Sequence, residues 1–279
     1  MTASSKTIAD PARSPVLGVG ISAINLASAT DLVFQALEER RKGYVCVTGV
    51  HGVIEAQDSA EFRNLLNNSF LTTPDGMPMV WLGKWNGFAH MGRVYGPDLM
   101  LEVCERSAHT GHSHYFYGGA EGVAADLRAR LEERFPGLRV LGASTPPFRP
   151  LTTEERNGLR EEIARLRPDC FWVGLSTPKQ EKFIAEFLPE LDTTLMFGVG
   201  AAFDFHSGRV RQAPRWIQRS GFEWLFRVFT DPKRLWKRYF VNNTRFVWCI
   251  GRQLILDGGK TRARNRRISN GAKPPASDG

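Results

Sequence analysis

An aspartate in a Pro-Asp-Gly turn, Asp75 within Thr73-Pro74-Asp75-Gly76-Met77-Pro78, is the first candidate for chemistry. A carboxylate at a strand-to-helix turn is exposed by the turn and fixed by the scaffold, which suits a general base. The same residue type caps helices, and the local sequence by itself favours the cap. A second group is Arg93-Val94-Tyr95-Gly96-Pro97-Asp98. An arginine ahead of a Pro-started helix suits a phosphate held at a helix N-terminus; an Arg93–Asp98 ion pair explains it equally. In Tyr117-Gly118-Gly119-Ala120-Glu121-Gly122, Gly118 and Gly119 would let backbone N–H groups approach a pyrophosphate. The segment is neither a GxGxxG fingerprint nor a P-loop, and a plain tight turn is the alternative. In Ser176-Thr177-Pro178-Lys179-Gln180-Glu181, Lys179 and Gln180 are candidates to address phosphate or hydroxyl groups. An ordinary helix start with an acidic first turn is the bland reading there.

Three histidines, His109, His112 and His114, fall within six residues, but no carboxylate or cysteine with ligand spacing accompanies them, so no metal site is assigned. His51, His90 and His206 are isolated and read as core or surface residues. The four cysteines (Cys46, Cys104, Cys170, Cys249) form no CxxC pair and suggest neither zinc nor a disulfide framework.

Charge is unevenly distributed. From Gly208 onward lie 17 of the 37 Lys and Arg but only 4 of the 29 Asp and Glu, which points to an anionic partner for that quarter. Arg227, Lys233, Arg234, Lys237, Arg238, Arg245 and Arg252 alternate there with Trp and Phe. On a helix, Trp236, Phe240, Val247, Ile250 and Leu254 share an approximate apolar stripe. A basic aromatic helix of this kind reads as a membrane-surface element. Docking on its own domain and nucleic-acid binding are the alternatives, the last ranked lowest because no nucleic-acid module accompanies it.

These residues must be held by alternating strands and helices. Strands are expected at 44–48, 70–72, 114–117, 138–143, 170–173 and 194–199. Helices are expected at 58–68, 97–108, 121–135, from a Thr152/Glu155 capping box to 166, and at 178–187. The alternation predicts an α/β fold with a Rossmann-like parallel sheet. Ligands in such sheets sit beyond the carboxyl ends of the strands, where Thr48, Asp75, Gly118-Gly119, the Pro178–Glu181 turn and Asp204 all fall. Four segments are expected: a disordered leader at 1–15 without the apolar stretch of a signal peptide, a catalytic domain at 16–207, a basic helical appendage at 208–256 with helices at 215–229 and 232–256, and a disordered basic tail at 257–279. No run approaches the length of a membrane span.

Taken together, TPDGMPMVW (Thr73–Trp81), RVYGPDLM (Arg93–Met100), YFYGGAEGVA (Tyr115–Ala124), GLSTPKQEKFI (Gly174–Ile184), GVGAAFDFHSG (Gly198–Gly208), and QAPRW followed by EWLFR and DPKRLWKRY resemble the WecG/TagA/CpsF glycosyltransferases. Each motif alone is weak, but six in order are specific. The resemblance implies a metal-independent, cofactor-free, inverting transferase that moves a sugar from a UDP-sugar onto a polyprenyl-diphosphate-linked sugar. It would work peripherally on the cytoplasmic face of the plasma membrane, in cell-surface polysaccharide or exopolysaccharide synthesis. Asp75 takes the base role and Arg93 a phosphate role. Gln180 falls in the donor pocket and Asp204 near the nucleoside, while Arg227, Arg234 and Lys237 match appendage cations that reach the diphosphate, in cis or from a neighbouring subunit of a homo-oligomer. Thr48, Gly118, Gly119 and Lys179 complete the expected substrate-binding set. One departure stands out: the family often has Thr-x-Asn where this chain has Thr48-Gly49-Val50, followed by His51, so a hexosyl donor fits as well as N-acetylmannosamine. A non-catalytic sugar-nucleotide or polysaccharide-binding protein of the same fold is the alternative.

Overall fold

The computed structural model describes residues 10–269; the expectations for 1–9 and 270–279 lie outside the described residues. Strand β1 (Arg13–Val16) pairs antiparallel with β2 (Val19–Ser22) around a turn in which Leu17 and Gly18 both take positive φ, 49° and 81°, the geometry of tight hairpins. The leader was expected to stay disordered through residue 15. It docks instead, because Val16, Val19 and Ile21 are buried and Arg13 donates to Thr72 Oγ1 at 3.1 Å and to the Ser69 carbonyl.

Six strands form one parallel sheet in the order β4-β3-β8-β7-β5-β6: β3 (Gly43–Thr48), β4 (Leu71–Pro74), β5 (Ser113–Gly118), β6 (Arg139–Ser144), β7 (Cys170–Gly174) and β8 (Leu195–Gly198). Both faces are covered, so the strands read as continuous apolar runs rather than alternating ones. Cys170 and Trp172 point into one apolar layer, with α1 (Leu26–Glu38), α5 (Gly96–Thr110), α6 (Val123–Arg134) and α9 (Ala202–His206). Phe171 and Val173 point into the other, with α2 (Val50–Asp58), α3 (Ala60–Asn67), α4 (Met77–Trp85), α7 (Thr153–Leu166) and α8 (Lys179–Phe187). The period of two along β7 is what divides the core. The Thr152/Glu155 capping box is present at the start of α7.

Three helices follow: α10 (Arg215–Ser220), α11 (Glu223–Thr230) and α12 (Pro232–Ser269). One helix was expected over 215–229. Gly221, at φ 83°, ends α10 in the left-handed conformation and splits it. Conversely, α12 passes the expected stop at residue 256 and continues to Ser269, so part of the basic tail is helical; its Ala, Arg and Lys are good helix formers. Helix α12 packs on α2 and α11, and burying Phe246 ties it to the core. Among the described residues no helix is long and apolar enough to cross a membrane.

Candidate active site

The carboxyl ends of β4, β3, β7 and β8 open into a cleft of about 840 Å³, walled on the far side by α11 and α12. Asp75 follows β4 directly. Its backbone N–H donates to the Thr48 carbonyl at 3.1 Å, which fixes the turn against β3. Gly76, not Asp75, is the N-cap of α4, and no side chain caps that helix. The capping explanation for Asp75 therefore falls. Its Oδ1 is buried without a hydrogen-bond partner. Burial raises the carboxyl to about 6; Arg93 pulls it down, Glu223 pushes it up, Arg227 lowers and Asp98 raises it. A carboxylate poised there takes protons near neutral pH.

Arg93 lies beside it, with Nη2 3.9 Å from Asp75 Oδ1. That is too long for a hydrogen bond. The guanidinium is held elsewhere. Nη2 donates to Glu223 of α11, Nη1 donates to the Gln218 carbonyl at 3.3 Å, and the group lies 4.0 Å over the Tyr95 ring. Tyr95 Oη in turn donates to the other Glu223 oxygen at 2.6 Å. Burial opposes the charge on Arg93, and Asp75 and Glu223 outweigh it, so the group stays protonated.

Helix α12 closes the cleft with Arg238, Tyr239, Asn242 and Phe246. Asn242 Nδ2 donates to His51 Nδ1 at 2.9 Å, and His51 Nε2 is 3.3 Å from the Thr177 carbonyl. These partners assign the neutral tautomer with its proton on Nε2. Burial and Arg238 both lower the histidine, which agrees with a neutral ring. A smaller recess of about 110 Å³ adjoins the cleft, lined by Gly119, Asp204, Arg227 and Arg238 among others. Among the described residues no three His, Cys, Asp or Glu side chains gather as a metal site.

Residues 14–259 match the model of the glycosyl transferase WecG/TagA/CpsF family. The chain belongs to this family. Two relatives are named N-acetylglucosaminyldiphosphoundecaprenol N-acetyl-beta-D-mannosaminyltransferase. The Bacillus spizizenii protein is 27% identical over 202 residues, 72% of this chain and 76% of the relative. The Bacillus subtilis protein is 26% identical over 215 residues, 77% of this chain and 82% of the relative. The protein is thus a glycosyltransferase, and its family expectations can be checked position by position.

In this glycosyltransferase Asp75, Arg93, Gln180 and Arg227 share the main cleft, and Asp204 and Gly119 line the recess beside it. Gln180 is buried, its Nε2 donates to Glu181 Oε1 at 3.0 Å, and its own Oε1 has no partner. Five expected residues do something other than line the main cleft. The Thr48 side chain is buried and bonds back to the Cys46 carbonyl, so Thr48 supports Asp75 through its backbone. Gly118, at φ 139°, is a packing glycine: a Cβ there would lie 2.7 Å from the Gly174 backbone nitrogen. The Gly119 N–H is spent on the Gly174 carbonyl at 3.0 Å, so it is not offered to a pyrophosphate. Lys179 and Lys237 are exposed and line neither cavity. On α12 the lining position is Arg238; Lys237 is displaced by about 100° of helix rotation. The side chain of Arg234 lies outside the described residues.

The ion pair that the alternative reading gave Arg93 with Asp98 is not formed; Arg93 pairs with Glu223. The histidine cluster disperses. His114 is buried, accepts from Trp172 Nε1 at 2.9 Å and is pushed down to about 3 by burial, while His109 ends α5 on the surface. The apolar stripe of α12 also divides: Ile250 packs on the core, while Trp236 and Phe240 are exposed. Sequence reasoning missed Glu223, Tyr95, His51 and Asn242 as site residues. Glu223 did stand in the EWLFR motif, but nothing local tells which residue it meets 130 positions earlier.

Proposed function

We propose that this hexosyltransferase moves a hexosyl or N-acetylhexosaminyl group from a UDP-sugar to a polyprenyl-diphosphate-linked sugar, inverting the anomeric carbon and feeding a cell-surface polysaccharide. The observation that carries the reading is the Asp75 carboxylate: it lies at a strand end, lines a cleft large enough for donor and acceptor together, and keeps an Oδ1 that no hydrogen bond occupies. The names of the two relatives support the lipid-linked acceptor.

The reaction is read as one in-line displacement. Asp75 accepts the proton of the acceptor hydroxyl as that oxygen bonds to the anomeric carbon, and the bond from that carbon to UDP breaks. The charge leaving on UDP falls to Arg227 and Arg238, which come from the appendage of the same chain and line both cavities. This division of labour needs no metal ion. Arg227 is held protonated despite burial by Tyr239, Tyr95, Glu223 and Asp75.

An anionic membrane surface, on the cytoplasmic side where such acceptors are glycosylated, is the proposed docking partner. Trp216, Phe229, Trp236, Phe240 and Trp248 are exposed on α10–α12 among basic residues, an arrangement that lies in a lipid interface. The test is a screen of UDP-sugars against polyprenyl-diphosphate-linked acceptors, read as UDP release. Asp75→Asn should lose about 100- to 10,000-fold in turnover while UDP still binds. Undiminished turnover would remove Asp75 from the base role. Truncation after Gly208 should abolish both vesicle binding and turnover.

A further inference from the structure

The Glu223 carboxylate lies between the appendage and the core. It is buried, and both its oxygens are committed: one to Arg93, the other to Tyr95. The usual partner of an arginine next to an aspartate is that aspartate, in a bidentate fork. Here the fork is turned away. Arg93 spends Nη2 on Glu223 and Nη1 on the Gln218 carbonyl, and its plane is trapped over Tyr95. Asp75 Oδ1, 3.9 Å off, is left without a hydrogen bond.

We propose that Glu223 is a positioning residue for the base: by holding Arg93 it stops the guanidinium from pairing with Asp75 and leaves that carboxylate free to take a proton. The inference rests on the reading of Asp75 as the base. A carboxylate locked in a fork with Arg93 would have its lone pairs occupied and its proton affinity depressed. An Arg93 removed altogether would leave the buried anion with Arg227 as the remaining cation acting on it. The clamp gives an intermediate state, with a cation near enough to stabilise the site and too far to neutralise the base. The charged groups facing Asp75 are Arg93 and Asp98 from the segment that opens α5, and Glu223 and Arg227 from α11. Two of these four come from the appendage. Among the described residues both acceptors bonded to Arg93, Glu223 and the Gln218 carbonyl, come from the appendage, so the appendage contributes to the basicity of a residue at the end of β4.

A purely structural role, pinning α11 to the core, uses the same contacts. The pH profile of turnover separates the two. In Glu223→Gln one of the two accepting oxygens becomes an amide N–H, so the side chain can no longer accept from Arg93 and Tyr95 at separate atoms; the clamp is weakened and its charge is lost. Arg93 then turns toward Asp75, and the acid limb of kcat should move down by about one pH unit with the donor KM little changed. Glu223→Asp, which keeps the charge and shortens the reach, should move the limb the same way by less, and it carries the test if the glutamine variant does not fold. An acid limb unmoved in every folded variant, with or without a uniform loss of rate, overturns the proposal. Asp75→Asn is assayed in parallel. If it turns over normally, the base reading itself fails. If it is inactive and the limb of Glu223→Gln stays put, only the role of Glu223 fails.

Discussion

Asn242 donates to His51 across a separation of 191 residues, joining the third turn of α12 to the first turn of α2 at the rim of the cleft. His51 is held from the other side by the Thr177 carbonyl. Helix α12 is therefore fastened to the core at the cleft itself, by this hydrogen bond as well as by the burial of Phe246 one turn further on.

Asn242→Leu should loosen this closure without unfolding the sheet. The variant leaves His51 Nδ1 without its donor, at a cost of about 1–2 kcal/mol. That cost should appear as a rise of roughly 10-fold in donor KM, with kcat and the melting temperature changed little. An unchanged KM would mean that the contact does not hold the closed cleft.

Asp75→Asn should make the protein more stable as it makes it inactive. The folded state holds a proton on Asp75 to about 6, against an ordinary 3.8. Between those pH values the folded chain binds more protons than the unfolded chain, so this group's contribution to stability falls as pH rises through the window and stays lost above it. Asparagine has no such penalty. Allowing for partial solvation, the gain at pH 7.5 should be about 1–2 kcal/mol, vanishing below about pH 4. Thermal unfolding across pH checks it.

Two glycines should respond in opposite directions to alanine. Gly118→Ala puts a Cβ against the Gly174 backbone at a φ that side chains rarely take, and should cost about 2–4 kcal/mol. Gly158 sits in an exposed part of α7 with nothing within 4 Å of a new Cβ, so Gly158→Ala should stabilise by about 0.5–1 kcal/mol. Denaturant unfolding of the pair measures both.

The sheet was legible because burial on both faces forces short apolar runs such as Cys170–Gly174, and a residue's own neighbours reveal them. Asp75 was legible as a candidate because its turn is local. What eluded sequence reasoning was long-range. Strand β1 reads as polar leader because Arg13 is anchored by Ser69 and Thr72, more than 50 residues away. The Arg93–Glu223 pair was not legible because Glu223 lies on another element, 130 residues away. Gly118-Gly119 looked like a phosphate cradle because the sequence does not tell that β7 approaches closely enough to claim the Gly119 N–H. Lys237 and Arg238 are both cationic, so only the helix's rotation against α2 decides which one the cleft receives.

The wall contributed by α12 also has a consequence for how the enzyme comes into being. Every strand among the described residues is complete by Gly198, and the proposed base is present by residue 75, whereas Arg238, Asn242 and Phe246 come much later in the chain. Domains generally fold from the N-terminus as the ribosome releases them. A nascent chain can therefore hold a finished sheet and the proposed base while one side of its cleft is still unmade. Along the chain α12 comes after every described strand, so this wall of the cleft is made later than the sheet that floors it.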